Sequence, residues 1–234
     1  MSDADPAPRR PRKPPLPLPG HVALVMQGGG ALGSYQAGVY AALHDSGLEV
    51  DQLAGISIGA INAALIAGNP PEKRVERLRD FWESVTGALP SFPIWHNEYM
   101  REALNLWTAG LVAAFGVPGF FGPRMVPPWL AAPGSAGALS FYDSAPLEAT
   151  LNRLVDWDLL NTGPVRVAVG AVEIESGNFH YFDSRAERLD ARHIMASGAL
   201  PPGLPPVEID GKLWWDGGLV SNTPLQHVLE PREL

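Results

Sequence analysis

Two short apolar runs, each cut off by glycine and each followed by a helix-like stretch, constrain the fold more than any other feature of this chain. HVALVMQ (21–27) is apolar and rich in β-branched residues, and it stops at Gly28-Gly29-Gly30. GSYQAGVYAALH (33–44) then reads as a helix, with Val39, Leu43 and small Ala and Gly residues available for close packing. The pattern repeats at once. Residues 48–56 read as a second strand that stops at Ser57, and a second helix runs over about 60–67 until Asn69-Pro70 breaks it. Strand–helix–strand–helix within some fifty residues predicts a right-handed parallel α/β unit. Pro71 opens a third helix, PEKRVERLRDFWESV, with Val75, Leu78, Phe81, Trp82 and Val85 at near-helical spacing.

The flanks and the middle differ from this frame. Residues 1–20 hold seven prolines and four basic residues, which predicts an extended, disordered arm. Arg9-Arg10 is followed by more proline and no apolar run, so it does not make an export signal. Between Glu102 and Asp143 the sole charge is Arg124, and the stretch 103–123 is uncharged for 21 residues, long enough to raise the question of a membrane span. Gly110, Gly116, Pro118, Gly119, Gly122 and Pro123 argue against a continuous helix there. A mobile apolar lid or lipid-dipping surface and an ordinary core behind a long loop both remain open for this insertion, residues 88–142. Further on, 146–155 reads as a helix, 165–174 and 179–182 as strands, and 190–199 as a short helix. Asp210-Gly211 between 207–209 and 212–215 is the strongest hairpin signal in the chain. The 234 residues carry 17 Lys and Arg against 25 Asp and Glu, a net charge of −8 that argues against a nucleic-acid partner. Cysteine is absent, which excludes a disulfide framework, a thiolate metal site and a cysteine nucleophile.

Three glycine-marked motifs could carry chemistry. Gly28, Gly30 and Gly33 satisfy G-x-G-x-x-G, with Glu49 or Asp51 about twenty residues on, as a dinucleotide site would need. More generally, amides bared by glycine at a helix start hold any anion, including a transient oxyanion. Gly55-Ile56-Ser57-Ile58-Gly59 is G-x-S-x-G at a strand-to-helix junction, the setting of a nucleophile elbow. Asp216-Gly217-Gly218 places a carboxylate at the end of a strand, where it could act directly as a base. A serine–acid–histidine order is met formally by Ser57, Asp216 and His227, but His227 reads as part of an ordinary half-exposed helix face. His193 shows no partner in the sequence.

Taken in order, GGGALGSYQAGVYAAL, GISIGAINAALIAGN and SGALPPGLPPVEIDGKLWWDGGLVSNTP resemble the patatin-like phospholipase family of lipid acyl hydrolases, over about residues 22–229 apart from the apolar middle. The resemblance implies a three-layer α/β/α fold with a mainly parallel central sheet. It implies Ser57 as nucleophile and Asp216 as base of a Ser–Asp dyad without histidine. Gly55 and Gly59 would shape the elbow, Gly28, Gly29 and Gly30 would supply oxyanion-hole amides, and no metal or cofactor would be used. The expected substrate is a lipid or phospholipid, with peripheral membrane contact and a cytoplasmic location. Two departures stand out. Leu32 occupies a position where the family usually has Arg or Lys, and the family's domains generally continue beyond the D-G-G segment, so a sheet truncated at its C-terminal end is expected. The competing expectation is a catalytically silent lipid or acyl-chain binder, and a dinucleotide-dependent oxidoreductase is third.

Overall fold

The computed structural model describes residues 20–87 and 98–229. The proline-rich arm (apart from Gly20), the opening of the apolar insertion at 88–97 and the last five residues lie outside the described residues. The first half follows the glycine punctuation: β1 (Ala23–Met26), α1 (Gly33–Asp45), β2 (Gln52–Gly55), α2 (Ile58–Ala67) and α3 (Arg74–Thr86). Next come α4 (Glu98–Phe115), the two-residue strands β3 (Gly122–Pro123) and β4 (Tyr142–Asp143), α5 (Ala145–Leu154) and α6 (Trp157–Thr162). The chain then forms β5 (Arg166–Glu173), β6 (Phe179–Asp183), α7 (Ala191–Ser197), β7 (Val207–Ile209), β8 (Lys212–Asp216) and α8 (Leu225–Leu229). The helix α6 was not expected. Its start is nonetheless capped by Asp156, whose side chain accepts from the Leu159 amide. Asp210 and Gly211 both have positive φ, the geometry an Asp-Gly hairpin turn requires.

β5 organises the sheet. It pairs in parallel with β2 over Arg166–Val169, and β2 pairs in parallel with β1. Antiparallel β6 covers Ala168–Val172, overlapping both other partners of β5. β2 and β8 must therefore share the opposite edge, β2 along its first half and antiparallel β8 along Ala171–Glu173. β2 ends at Gly55 opposite Val169, and β8 arrives from the other direction with Asp216 opposite Ala171. Two strand ends thus meet head to head across Gly170. The junction is tight enough to demand small residues: a Cβ on Gly170 would lie 2.6 Å from Ile56 Cδ1, and one on Gly217 would lie 2.4 Å from the Gly170 carbonyl oxygen.

Side chains alternate between the faces of a strand. Val167, Val169 and Ala171 of β5 join α2 and α7 in the main core, with Leu53 and Phe182. Arg166, Ala168, Gly170 and Val172 face the other way, together with the paired residues Tyr181 and Asp183 of β6. His227 of α8 stacks on Tyr181 there, so helices cover both faces. All ten residues of α2 are buried, which explains why its sequence is apolar all round rather than striped. Removing one of its large side chains, as in Leu65→Ala, would cost about 2–5 kcal/mol.

No continuous helix runs through residues 103–123, as expected, although Gly110 does not break α4. α4 is a continuous helix through Gly110, and it stops at Gly116, whose φ is +76°. A single internal glycine costs only about 1 kcal/mol relative to alanine, which the surrounding Ala and Leu residues tolerate. Among the described residues no helix is long and apolar enough to cross a membrane. The far end of the insertion is tied down. The Tyr142 hydroxyl donates to the Ala113 carbonyl at 2.8 Å, and the Phe141 and Tyr142 amides donate to the carbonyls of Pro202 and Gly203.

Candidate active site

Ser57 stands where β2 turns into α2. Its φ of 54° and ψ of −122° put a non-glycine residue in a sparsely populated positive-φ region, at a cost of about 1–3 kcal/mol. The flanking glycines make that turn sterically feasible. A Cβ on Gly55 would lie 2.5 Å from the Gly59 carbonyl oxygen, and one on Gly59 would lie 2.1 Å from the carbonyl oxygen of Met26. The Ser57 amide donates to the Ser197 carbonyl at 3.1 Å and to the Ser197 hydroxyl at 3.0 Å, which anchors the elbow to the end of α7. Ser57 itself is only half-buried.

Asp216 is the last residue of β8 and is 3% exposed. Its Oδ1 accepts from the Gly218 amide at 2.7 Å, and the Ser57 side chain stands close enough to favour its charged form. Burial pushes the carboxyl pKa upward, and the Gly218 amide and Ser57 recover only part of that shift. The net position is above the usual carboxylate range, with no cation among its causes. A desolvated carboxylate beside a serine hydroxyl is a stronger proton acceptor than one in water.

The Gly-rich loop lies against this pair. Gly28 is buried, Gly29 and Gly30 are exposed, and Gly30 has a φ of +55°. The expectation that all three supply oxyanion amides needs correction at Gly28. Its N–H is donated to the Asn222 carbonyl at 3.2 Å, so that donor is occupied. Gly28 instead provides clearance, because a Cβ there would lie 3.2 Å from Ser57 Cβ and 2.3 Å from Asn222 Oδ1. Gly29 and Gly30 remain the loop's candidate donors. Ile58, the first residue of α2, brings a helix-start amide directly after the serine. Leu32 is 74% exposed, so the loop presents an apolar side chain to solvent at this position.

The downstream histidines are engaged elsewhere. His193 is buried and completes the capping box of α7 with Asp190, the partner the sequence did not reveal. His227 is also buried rather than half-exposed, stacked on Tyr181 at 3.8 Å between ring centres with Nε2 at 3.7 Å from Asp183. His180 Nε2 lies 3.8 Å from Glu187. Asp216 and His227, adjacent in a serine–acid–histidine reading, thus have different partners.

Sequence reasoning passed over three polar residues that hold the site together. Ser197 and Asn222 are described above. Asn62, fully buried in α2, donates to the Gly33 carbonyl and to Gln36 Oε1 and accepts from Trp82 Nε1. Gln36 in turn donates to the Gln27 carbonyl at 2.7 Å, just before the glycines. A buried asparagine in an otherwise apolar helix was the available signal for this network.

The sequence has known relatives. The family model described as patatin-like phospholipase matches residues 24–229. The chain belongs to this family. Among its relatives, the mouse patatin-like phospholipase domain-containing protein 6 is 41% identical over 69 residues, 29% of this chain and 5% of that protein. The lysophospholipase nte1 of Aspergillus terreus is 52% identical over 46 residues, 20% of this chain and 3% of that protein. The matches therefore span only a small fraction of these curated relatives. Of solved structures, VipD from Legionella pneumophila is similar with a TM-score of 0.47 at 16% identity, covering 92% of this chain and 48% of that one.

Proposed function

We propose that this patatin-like chain hydrolyses carboxylic ester bonds of lipids, as a phospholipase A, lysophospholipase or acyl esterase, through an acyl-enzyme on Ser57. The observation that carries this reading is a buried carboxylate, Asp216, interacting with the hydroxyl of a strained elbow serine. Asp216 takes the Ser57 proton as Oγ attacks the acyl carbon. The amides of Gly29, Gly30 and Ile58 are the candidates to receive the oxyanion, each such donor being worth ~3–4 kcal/mol. Collapse of the tetrahedral intermediate expels the alcohol, which takes the proton from Asp216 and leaves the acyl-serine. Water then attacks the acyl carbon and gives its proton to Asp216. The fatty acid leaves, and the proton returns to Ser57.

The substrate is proposed to arrive from a lipid surface. Leu106, Phe115, Met125, Trp129 and Leu130 of the insertion are exposed, Met125 completely, on a segment almost free of charge. Flotation with neutral phosphatidylcholine vesicles tests that contact, and failure to float removes it from the proposal. A cytoplasmic location with peripheral membrane contact belongs to the same proposal, and cell fractionation tests it.

The deciding experiment for the chemistry is intact mass after incubation with a fluorophosphonate, on wild type and Ser57→Ala, with circular dichroism confirming that both fold. A single adduct on wild type that is absent from Ser57→Ala is expected. No adduct on folded wild type would overturn the hydrolase reading and leave a silent lipid binder.

A further inference from the structure

Building on the hydrolase reading, we infer that Asn222 is a positioning residue that sets the Gly-rich loop in register with the Ser57–Asp216 pair. Six residues beyond Asp216, it engages both main-chain polar groups of Gly28. Its main-chain carbonyl accepts the Gly28 N–H at 3.2 Å, and its side-chain Nδ2 donates to the Gly28 carbonyl at 3.2 Å. The side-chain amide stands in for a backbone N–H, so one residue pairs with Gly28 as a neighbouring strand would. Beside it, the Thr223 hydroxyl interacts with Gln27 Oε1 at 3.3 Å.

The other end of the Asn222 amide lies between the two halves of the site. The position a Gly28 Cβ would occupy is 2.3 Å from Asn222 Oδ1 and 3.2 Å from Ser57 Cβ. The position a Gly218 Cβ would occupy is 3.0 Å from both Asn222 Oδ1 and Asp216 Oδ1. The amide is thus wedged between the loop that offers oxyanion amides and the turn that holds the base. Gly29 and Gly30 have no side chains with which to anchor themselves, so Gly28 is the anchor immediately before them. Asn222 is itself exposed, so burial alone does not call for an asparagine at this place. The hydrogen-bond donor is what the site uses.

A displacement of about 1 Å at a catalytic group can cost about 100-fold in rate, so loosening the loop should appear in turnover rather than in substrate binding. The test compares wild type, Asn222→Ala and Asn222→Asp in the full chain. A p-nitrophenyl acyl ester gives kcat and KM, a fluorophosphonate gives the labelling rate, and hydrogen exchange is read on the peptide holding Gly28–Gly30. For Asn222→Ala we expect kcat and labelling rate to fall about 10- to 100-fold, with KM little changed, the pH profile retained and exchange in the loop faster. Asn222→Asp keeps the shape but loses the donor and adds a negative charge near Asp216. It should show the same loss and a rising pH limb displaced to higher pH. A folded Asn222→Ala with wild-type kcat, or with unchanged exchange at Gly28–Gly30, overturns the inference. If wild type neither turns over nor labels, the hydrolase reading fails. The exchange comparison still decides whether Asn222 holds the loop.

Discussion

Among the described residues the fold buries two carboxylates, on opposite faces of β5, and treats them in opposite ways. Asp183, paired with Ala168, is 4% exposed and is surrounded by donors. Arg166 Nε reaches both its oxygens at 3.0–3.1 Å, the Arg185 amide donates at 3.0 Å, and His227 stands at 3.7 Å. Burial works against its charge, but His227, the Arg185 amide and Arg166 together hold its pKa below the usual value. Asp216, paired with Ala171, is equally buried but interacts only with neutral donors, and burial wins. The same residue type is therefore a settled ion-pair partner in one place and, in the other, a buried carboxylate without a cation, the proposed proton acceptor. Burial marks neither as functional; what distinguishes them is whether a cation shares the site.

The largest test of this contrast is to remove each carboxylate. Asp216→Asn should lower turnover by about 10⁴-fold or more, as loss of a catalytic base does, and Ser57→Ala should match it without an additive double mutant. Because ionised Asp216 is unfavourable in its buried site, the same Asp216→Asn should raise Tm in a thermal melt. A lower Tm together with near-native turnover would reverse the assignment and return the histidine reading to the lead.

Asp183→Asn should do the opposite. It leaves Arg166 without its partner, which costs about 3 kcal/mol, the lower end for breaking a buried pair. Turnover per folded molecule should stay near wild type. Chemical denaturation and active-site titration separate the two effects.

The pH profiles should diverge in the same sense. In the proposed mechanism Asp216 acts as a base only when ionised, so kcat/KM should rise with pH through a value above that of an ordinary carboxylate. Its raised folded-state pKa means that its contribution to stability is full below the unfolded value and is lost as pH rises through the folded one. Asp183, with a lowered pKa, contributes above the unfolded value and loses that contribution as pH falls through the folded one. Denaturation followed against pH in Asp216→Asn should lack the first loss and keep the second.

The smallest expected effect concerns the loop's missing cation. Leu32→Arg should shift relative kcat/KM toward anionic over zwitterionic phospholipid by only a few-fold, since an exposed charge interaction is worth about 0–1 kcal/mol. Equal rates on both would show that position 32 does not see the head group.

The sequence alone determined the local part of this protein. Gly28–Gly30, Gly55–Gly59 and Asp210-Gly211 mark places where backbone geometry admits little but glycine or a turn, and apolar runs between them have lengths suited to one element. That information is carried by neighbouring residues, so the parallel β1–α1–β2–α2 unit and the elbow could be read directly. What the tertiary structure decided depends on residues far apart in the chain. That β2 and β8 share one edge of β5, bringing Ser57 to Asp216, follows from strand pairing that no local pattern encodes. The same holds for Asn222 occupying the Gly28 amide, 194 residues away along the chain. Hydrogen bonds and desolvation act over a few ångströms of space whatever the separation in sequence. The partners of His193 and His227, and the opposite pKa shifts of Asp183 and Asp216, therefore appeared only once the chain was folded.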